Sequence, residues 1–267
     1  MKDKLFLVDS NFSHTSFSSL SNEADSFEWD RQNSENYDSV VLTDLRRVGE
    51  FTNKKIYGWI MEPPHFDSEQ YDFAKKEFER FEKIFTFDKK LLDSSKKFEF
   101  LPIGGCWIPD EQKKIYEKNK LVSMVVSFKK MTIAHNFRHK IVRNISNVDI
   151  LGNGYHPIEK KIDSLKDFMF SIVVENQKMD YFFSEKIIDC FVTGTIPIYY
   201  GCPSIFRFFD AEGILTFDNL PELLTILKKI DSNLYNTKIN SVRKNFELAK
   251  NYVLAENHIY KKIKNKN

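Results

Sequence analysis

Residues 168–203, FMFSIVVENQKMDYFFSEKIIDCFVTGTIPIYYGCP, decide how this chain is read. The run FMFSIVV predicts a buried strand and ends at the polar pair Glu175-Asn176. Ser184 is a natural N-cap for a helix to Val192, with Ile187, Ile188, Phe191 and Val192 on one apolar face. Gly194 closes that helix, and residues 195–200 predict the next strand. Strand, helix, strand is the grammar of a parallel α/β layer, and ligands of such layers sit outside the carboxyl ends of the strands. Lys186 falls in the first helical turn, where the helix dipole disfavours a cation by about 0.3–1 kcal/mol. An anion at that helix start would reverse the sign; a solvated lysine beside Glu185 is the plain alternative.

The same alternation extends in both directions. Further strands are expected at 121–128, 148–151 and 214–217, with helices at 136–145, 162–167, 221–230 and from 238 to the end. The first half reads as strands at 5–8, 39–42, 55–61 and 84–87, with its clearest helix at 68–83. The segment 98–109, carrying Pro102, Gly104, Gly105 and Pro109, is the expected crossover, followed by a charged stretch expected to be helical. Two α/β units result, 1–112 and 113–267, the second closed by a long final helix. Arg138 is expected near the start of the helix after the 121–128 strand. Arg138 and Lys186 at two helix starts of one sheet suggest a pyrophosphate clamp.

Composition excludes several classes. The 267 residues are 42% hydrophobic and 29% charged, which rules out a disordered or low-complexity chain. Forty Lys and Arg against 38 Asp and Glu give +2, too balanced for a nucleic-acid-binding surface. Cys106, Cys190 and Cys202 are far apart and odd in number, so neither a disulfide framework nor a Cys-x-x-Cys metal motif is present, and a reducing, cytoplasmic compartment is expected. The four apolar residues after Lys4 are too short for a signal peptide. The basic end, Tyr260-Lys261-Lys262-Ile263-Lys264-Asn265-Lys266-Asn267, reads as a solvated tail or as a weak peripheral attachment to anionic lipid. The remaining histidines, His135 among them, are scattered without ligand spacing and are expected on loops or the surface.

The ordered run Val174-Glu175-Asn176, Ser184-Glu185-Lys186-Ile187-Ile188 and Gly194-Thr195-Ile196-Pro197-Ile198-Tyr199-Tyr200-Gly201-Cys202-Pro203 closely resembles the signature of the family 10 glycosyltransferases, the α-1,3/α-1,4-fucosyltransferases. Met124-Val125-Val126-Ser127 and Asp149-Ile150-Leu151-Gly152-Asn153-Gly154 also look like that family's C-terminal domain. The N-terminal half matches chiefly at Trp59-Ile60-Met61-Glu62-Pro63. The resemblance implies the GT-B fold, two Rossmann-like domains facing across a cleft, and inverting transfer of fucose from GDP-fucose to a saccharide hydroxyl. It implies Arg138 and Lys186 on the pyrophosphate, Glu185 on donor hydroxyls, and Glu175, Asn176 and Phe182 as neighbouring donor contacts, with Glu62 as general base. Two departures bear on the donor: Phe182 stands where the family usually has Tyr, and Ser184 where it has Thr.

The chemistry suits these residue types. A carboxylate that takes the acceptor's proton contributes about 10²–10⁴-fold, and the leaving diphosphate needs positive charge, from a metal or from fixed cations. No Asp-x-Asp triplet occurs, so fixed cations are expected and neither a metal nor another cofactor. Glu62 is expected at a strand's carboxyl end, with His65 and Asp67 as competitors. The alternatives are transfer from another nucleotide sugar and an inactive nucleotide- or glycan-binding homologue.

Overall fold

The computed structural model describes residues 2–264. The chain divides into two compact units. Of the described residues, the first contains 2–103, 180–182 and 254–264; the second contains 104–179 and 183–253.

In the first unit the strands are β1 (Asp3–Val8), β2 (Phe27–Asp30), β3 (Ser39–Leu42), β4 (Lys55–Trp59), β5 (Lys83–Thr86) and β6 (Phe98–Phe100). They form one parallel sheet in the order β2-β1-β3-β4-β5-β6. Helices α1 (Ser68–Glu77) and α2 (Lys89–Ser94) each start on an aspartate cap, Asp67 accepting from the Gln70 N–H and Asp88 from that of Leu91. The core joins Val40, Leu42, Ile56 and Ile84 of the sheet to Tyr71 and Ala74 of α1. The helix expected over 68–83 ends at Glu77, because a single 3-10 turn, Phe78–Arg80, returns the chain to β5.

The second unit contains β7 (Lys120–Val125), α3 (Ile133–Val142), β8 (Asp149–Leu151), β9 (Phe168–Val174), α4 (Glu185–Phe191), β10 (Ile196–Tyr200), β11 (Leu215–Thr216), α5 (Leu220–Leu227), α6 (Ser232–Thr237) and α7 (Ile239–Ala249). Its parallel sheet runs β11-β10-β9-β7-β8. Apolar side chains fill both faces, which is why β9 and β10 read as continuous hydrophobic runs.

Three expectations are corrected. Residues 113–119 are not helical. They run along the second unit, where the Lys118 ammonium donates to the carbonyls of Leu165 (3.0 Å), Lys166 (3.1 Å) and Thr193 (2.8 Å) and to Thr195 Oγ1 (3.0 Å), in place of local helix bonds. The helix expected at 162–167 is one 3-10 turn, Lys161–Ser164. The final helix breaks after α7, and α8 (Glu256–Lys264) groups with the first unit rather than the second. There Glu256 accepts from the N–H and hydroxyl of Ser18 (2.6 and 2.8 Å), and Tyr260 stacks on Phe27 at 4.8 Å. Lys262 and Lys264 pair with Glu99 and Asp3, so the basic end is not a free tail as far as Lys264; Asn265, Lys266 and Asn267 lie outside the described residues. Among the described residues no helix is long and apolar enough to cross a membrane.

Candidate functional site

The second sheet reverses its winding between β7 and β9: the chain leaves β7 for β8 on one side and returns to β9 on the other. At such a switch point the flanking loops part and leave a crevice at the carboxyl edge. A cavity of about 450 Å³ lies there, lined by Val125 and Val126 after β7, Val174 and Asn176 after β9, and charged side chains from α3 and α4. Gly152, which also lines it, has φ +111°; a Cβ there would stand 2.4 Å from the Val126 carbonyl, so only glycine lets the loop after β8 pass so close to the end of β7.

Arg138 is not at a helix start. Thr132 caps α3 in a capping box with His135, which begins the helix at Ile133 and puts Arg138 in its second turn. From there the buried guanidinium donates through Nε and Nη2 to the Val174 carbonyl (3.1 and 2.5 Å) and through Nη2 to Asn176 Oδ1 (2.9 Å). Nη1 has no hydrogen-bond partner among the described residues. Burial lowers the pKa of Arg138 against the pull of Glu175 and Glu185, and a guanidinium stays charged regardless.

Glu175 turns inward. Its carboxylate is fully buried and accepts from the Ser184 N–H (3.0 Å) and hydroxyl (2.6 Å), with the Tyr199 hydroxyl at 3.5 Å. It therefore holds the start of α4 in place and does not line the cavity. Gly201 is part of this arrangement, since a Cβ there would lie 2.6 Å from Glu175 Cγ and 2.4 Å from Tyr199 Oη. Lys186, at the second helical position, does line it. Its ammonium donates to Ser184 Oγ (3.0 Å) and Glu185 Oε1 (3.2 Å) and lies 3.6 Å from Glu175 Oε2, so it is not a solvated lysine. Burial would lower its pKa, but Glu185 and Glu175 outweigh that and raise it. The Glu185 carboxyl is lowered, because Lys186 and Lys161 overcome the upward push of burial.

The cavity thus brings together Arg138, Asn176, Glu185 and Lys186. Phe182 is not among its lining; it packs against Phe87 at 5.1 Å in the first unit, beside Tyr181, whose ring lies 5.5 Å from Phe100. Glu62 also belongs to the first unit, exposed in the loop after β4, its backbone carbonyl accepting from the Tyr71 hydroxyl at 2.9 Å. The competitor Asp67 is occupied as the α1 cap and by Arg46 at 2.9 Å, and the His65 ring lies tilted against that of Phe66, centroids 4.0 Å apart.

The lining also contains polar and aromatic residues that the sequence reading did not assign to the site, Trp107, Lys129, Lys161 and His135 among them. His135 is buried in α3, where its Nδ1 accepts from the Thr132 N–H at 3.2 Å. Burial, then Arg138, lowers its pKa. Thr132 was the signal, since reading it as the cap places His135 at the helix's third residue. Among the described residues no group of three or more His, Cys, Asp or Glu side chains could hold a metal ion.

No protein-family model matches the chain. It is 28% identical over 99 residues to the α-(1,3)-fucosyltransferase FucT of Helicobacter pylori, an alignment that covers 33% of this chain and 20% of that protein. The stretch matched is about a fifth of the length of the curated relatives. Among solved structures, an α1,3-fucosyltransferase with GDP superposes with a TM-score of 0.60 at 16% identity, covering 100% of this chain and 92% of that one. Anabaena HepE in complex with UDP-glucose gives 0.56 at 10% identity, covering 85% and 78%. The two parallel-sheet units are those of a GT-B glycosyltransferase fold. In its signature residues, in its curated relatives and in its fold, the chain resembles the α-1,3-fucosyltransferases of glycosyltransferase family 10.

Proposed function

We propose that this protein is an inverting glycosyltransferase that moves fucose from GDP-fucose to a saccharide hydroxyl. The observation that carries the reading is the convergence of Arg138, Lys186 and Glu185 on a cavity at the switch point of a parallel sheet. Breaking the bond from sugar to diphosphate drives negative charge onto the leaving phosphate. Pre-positioned cations stabilise that charge with no reorganisation at the moment of reaction. Arg138 and Lys186 suit this role because their neighbours already fix them: the Val174 carbonyl and Asn176 hold the guanidinium, and Ser184 and Glu185 hold the ammonium. Glu185, ionised beside Lys186, would accept from donor hydroxyls. Glu62 is proposed as the base that takes the acceptor's proton, on the strength of the resemblance and of its exposed place after a strand's carboxyl end. No metal or other cofactor enters this reading.

Calorimetry with GDP and UDP on Arg138→Ala and Lys186→Ala tests it, alongside fucose transfer in excess EDTA. Each variant is expected to lose about 10-fold to 100-fold in GDP affinity, as for a charged hydrogen bond, and transfer is expected to survive EDTA. Unchanged GDP affinity in both variants would refute the donor site. A second reading, transfer from a uridine nucleotide sugar, is favoured by the shared fold of HepE, whose structure contains UDP-glucose. Tighter binding of UDP than of GDP would establish it instead.

A further inference from the structure

Lys161 lines the same cavity from the 3-10 turn between β8 and β9, a segment outside the signature residues. Its side chain is 18% exposed, and its ammonium makes no hydrogen bond among the described residues. Its nearest neighbours are the indole of Trp107, whose ring centre is 5.4 Å from Nζ, and Asp189 Oδ2 at 3.7 Å, with the Glu185 carboxyl, which its charge helps lower, farther off. Asp189 is fully buried. Its Oδ1 accepts from the Trp107 backbone N–H at 2.7 Å, while Oδ2 has no hydrogen-bond partner among the described residues.

An ammonium carries three donors, and one that is mostly removed from water must find acceptors or lose hydration without return. Lys186 has found two. Lys161 has a counter-charge too distant for a hydrogen bond and an aromatic face, contacts that hold a cation in position without consuming its donors. Lys161 is therefore tethered with its donors uncommitted, on the lining shared with Arg138, Lys186 and the exposed Lys129.

We infer that Lys161 is a third phosphate-binding cation of this site, held toward the cavity by Asp189 and Trp107, with the nucleotide's diphosphate as the anion that takes its free donors. The inference rests on the donor-site reading above and adds a residue that neither the signature nor the resemblance contains. Asp189 is a positioning residue that does not touch the ligand. Burial pushes its carboxyl up to about 6 with Lys161 pulling the other way, the behaviour of a carboxylate whose main compensation is that lysine.

The test is calorimetry of GDP, UDP and guanosine against wild type, Lys161→Met, Lys161→Ala and Lys161→Arg, at low and high salt, with the melting temperature of each. Lys161→Met is expected to keep the stem packed on Trp107 and to lose about 10-fold to 100-fold in GDP affinity. Guanosine affinity should stay at the wild-type value, and the salt dependence of GDP binding should become shallower. Lys161→Arg should recover most of the loss. If wild type binds GDP and Lys161→Met binds it equally well, the inference is wrong and the Arg138 and Lys186 site stands. If guanosine and GDP weaken together, Lys161 serves only to place Trp107, and the inference is again wrong. If wild type binds neither GDP nor UDP, the donor-site reading falls and the inference with it.

Discussion

The two sheets wind alike but treat their switch points in opposite ways. In the first unit the reversal lies between β1 and β3, and hydrogen bonds join its loops and occupy their polar groups. The Ser10 N–H donates to Thr43 Oγ1 at 2.8 Å, and Asp9 Oδ1 accepts from the N–H groups of Asn11 (2.7 Å) and Phe12 (3.0 Å). Arg31 approaches Asp9 Oδ2 at 3.4 Å. In the second unit the reversal between β7 and β9 stays open, and the groups around it, Arg138 Nη1 and the Lys161 ammonium, keep donors that no other described residue uses. Winding order decides where a crevice can form. Whether it becomes a binding site depends on whether its polar groups are satisfied from within the chain.

The strongest way to break this contrast is to show that the first unit's chemistry is dispensable. Glu62→Gln keeps the shape of the side chain but cannot accept a proton. Turnover with GDP-fucose is expected to fall about 10²–10⁴-fold while GDP affinity stays at the wild-type value. Near wild-type turnover would remove Glu62 from the reaction.

Glu175→Ala separates architecture from ligand contact within the second unit. It strips the Ser184 hydroxyl and N–H of their acceptor and Lys186 of its buried counter-charge, so unfolding in urea should show a loss of about 2–4 kcal/mol. A variant as stable as wild type but weak in GDP binding would show instead that Glu175 touches the donor.

Asp189 gives the comparison a pH signature. Its carboxyl titrates near 6 in the folded protein and near the ordinary 3.8 when unfolded, so the folded state binds the proton more tightly. The stabilisation is full below about pH 4 and is lost as pH rises through about 6. Asp189→Asn lacks this titration, so its stability relative to wild type should rise by about 2–3 kcal/mol between pH 4 and pH 7. A flat difference across that range would mean that the carboxylate is already fully compensated. The smallest effect belongs to the first unit's switch point. Thr43→Val should cost about 1 kcal/mol of unfolding free energy and leave GDP affinity untouched; weakened GDP binding would end the distinction between the two crevices.

Much of this was legible from residue order because it is local. A run such as FMFSIVV in β9, a serine cap at Ser184 and a glycine after α4 are statements about neighbours in sequence, and they placed the second sheet's strands and the Lys186 helix start closely. The losses came where distant groups intervened. β2 and β6 are short edge strands that pair only along one side, which leaves little apolar pattern to read. Lys118 holds its segment out of a helix through acceptors more than forty residues away. Glu175 looked like a ligand contact because it ends a strand, yet its partner Ser184 lies nine residues on and turns it inward. Lys161 and Asp189 meet across 28 positions, and nothing near either one announces the other.

The place of α8 has a consequence for biosynthesis. Ser18 waits for Glu256, 238 positions later, and Asp3 waits for Tyr260, 257 positions later. A chain emerging from the ribosome can close its second unit, nearly contiguous in sequence, while the first still lacks the helix that covers Phe27. Contacts of such separation carry the largest loop-closure cost and form last. Until α8 has been made the apolar surface around Phe27 lacks its cover, and a nonsense codon anywhere before residue 254 removes that helix for good.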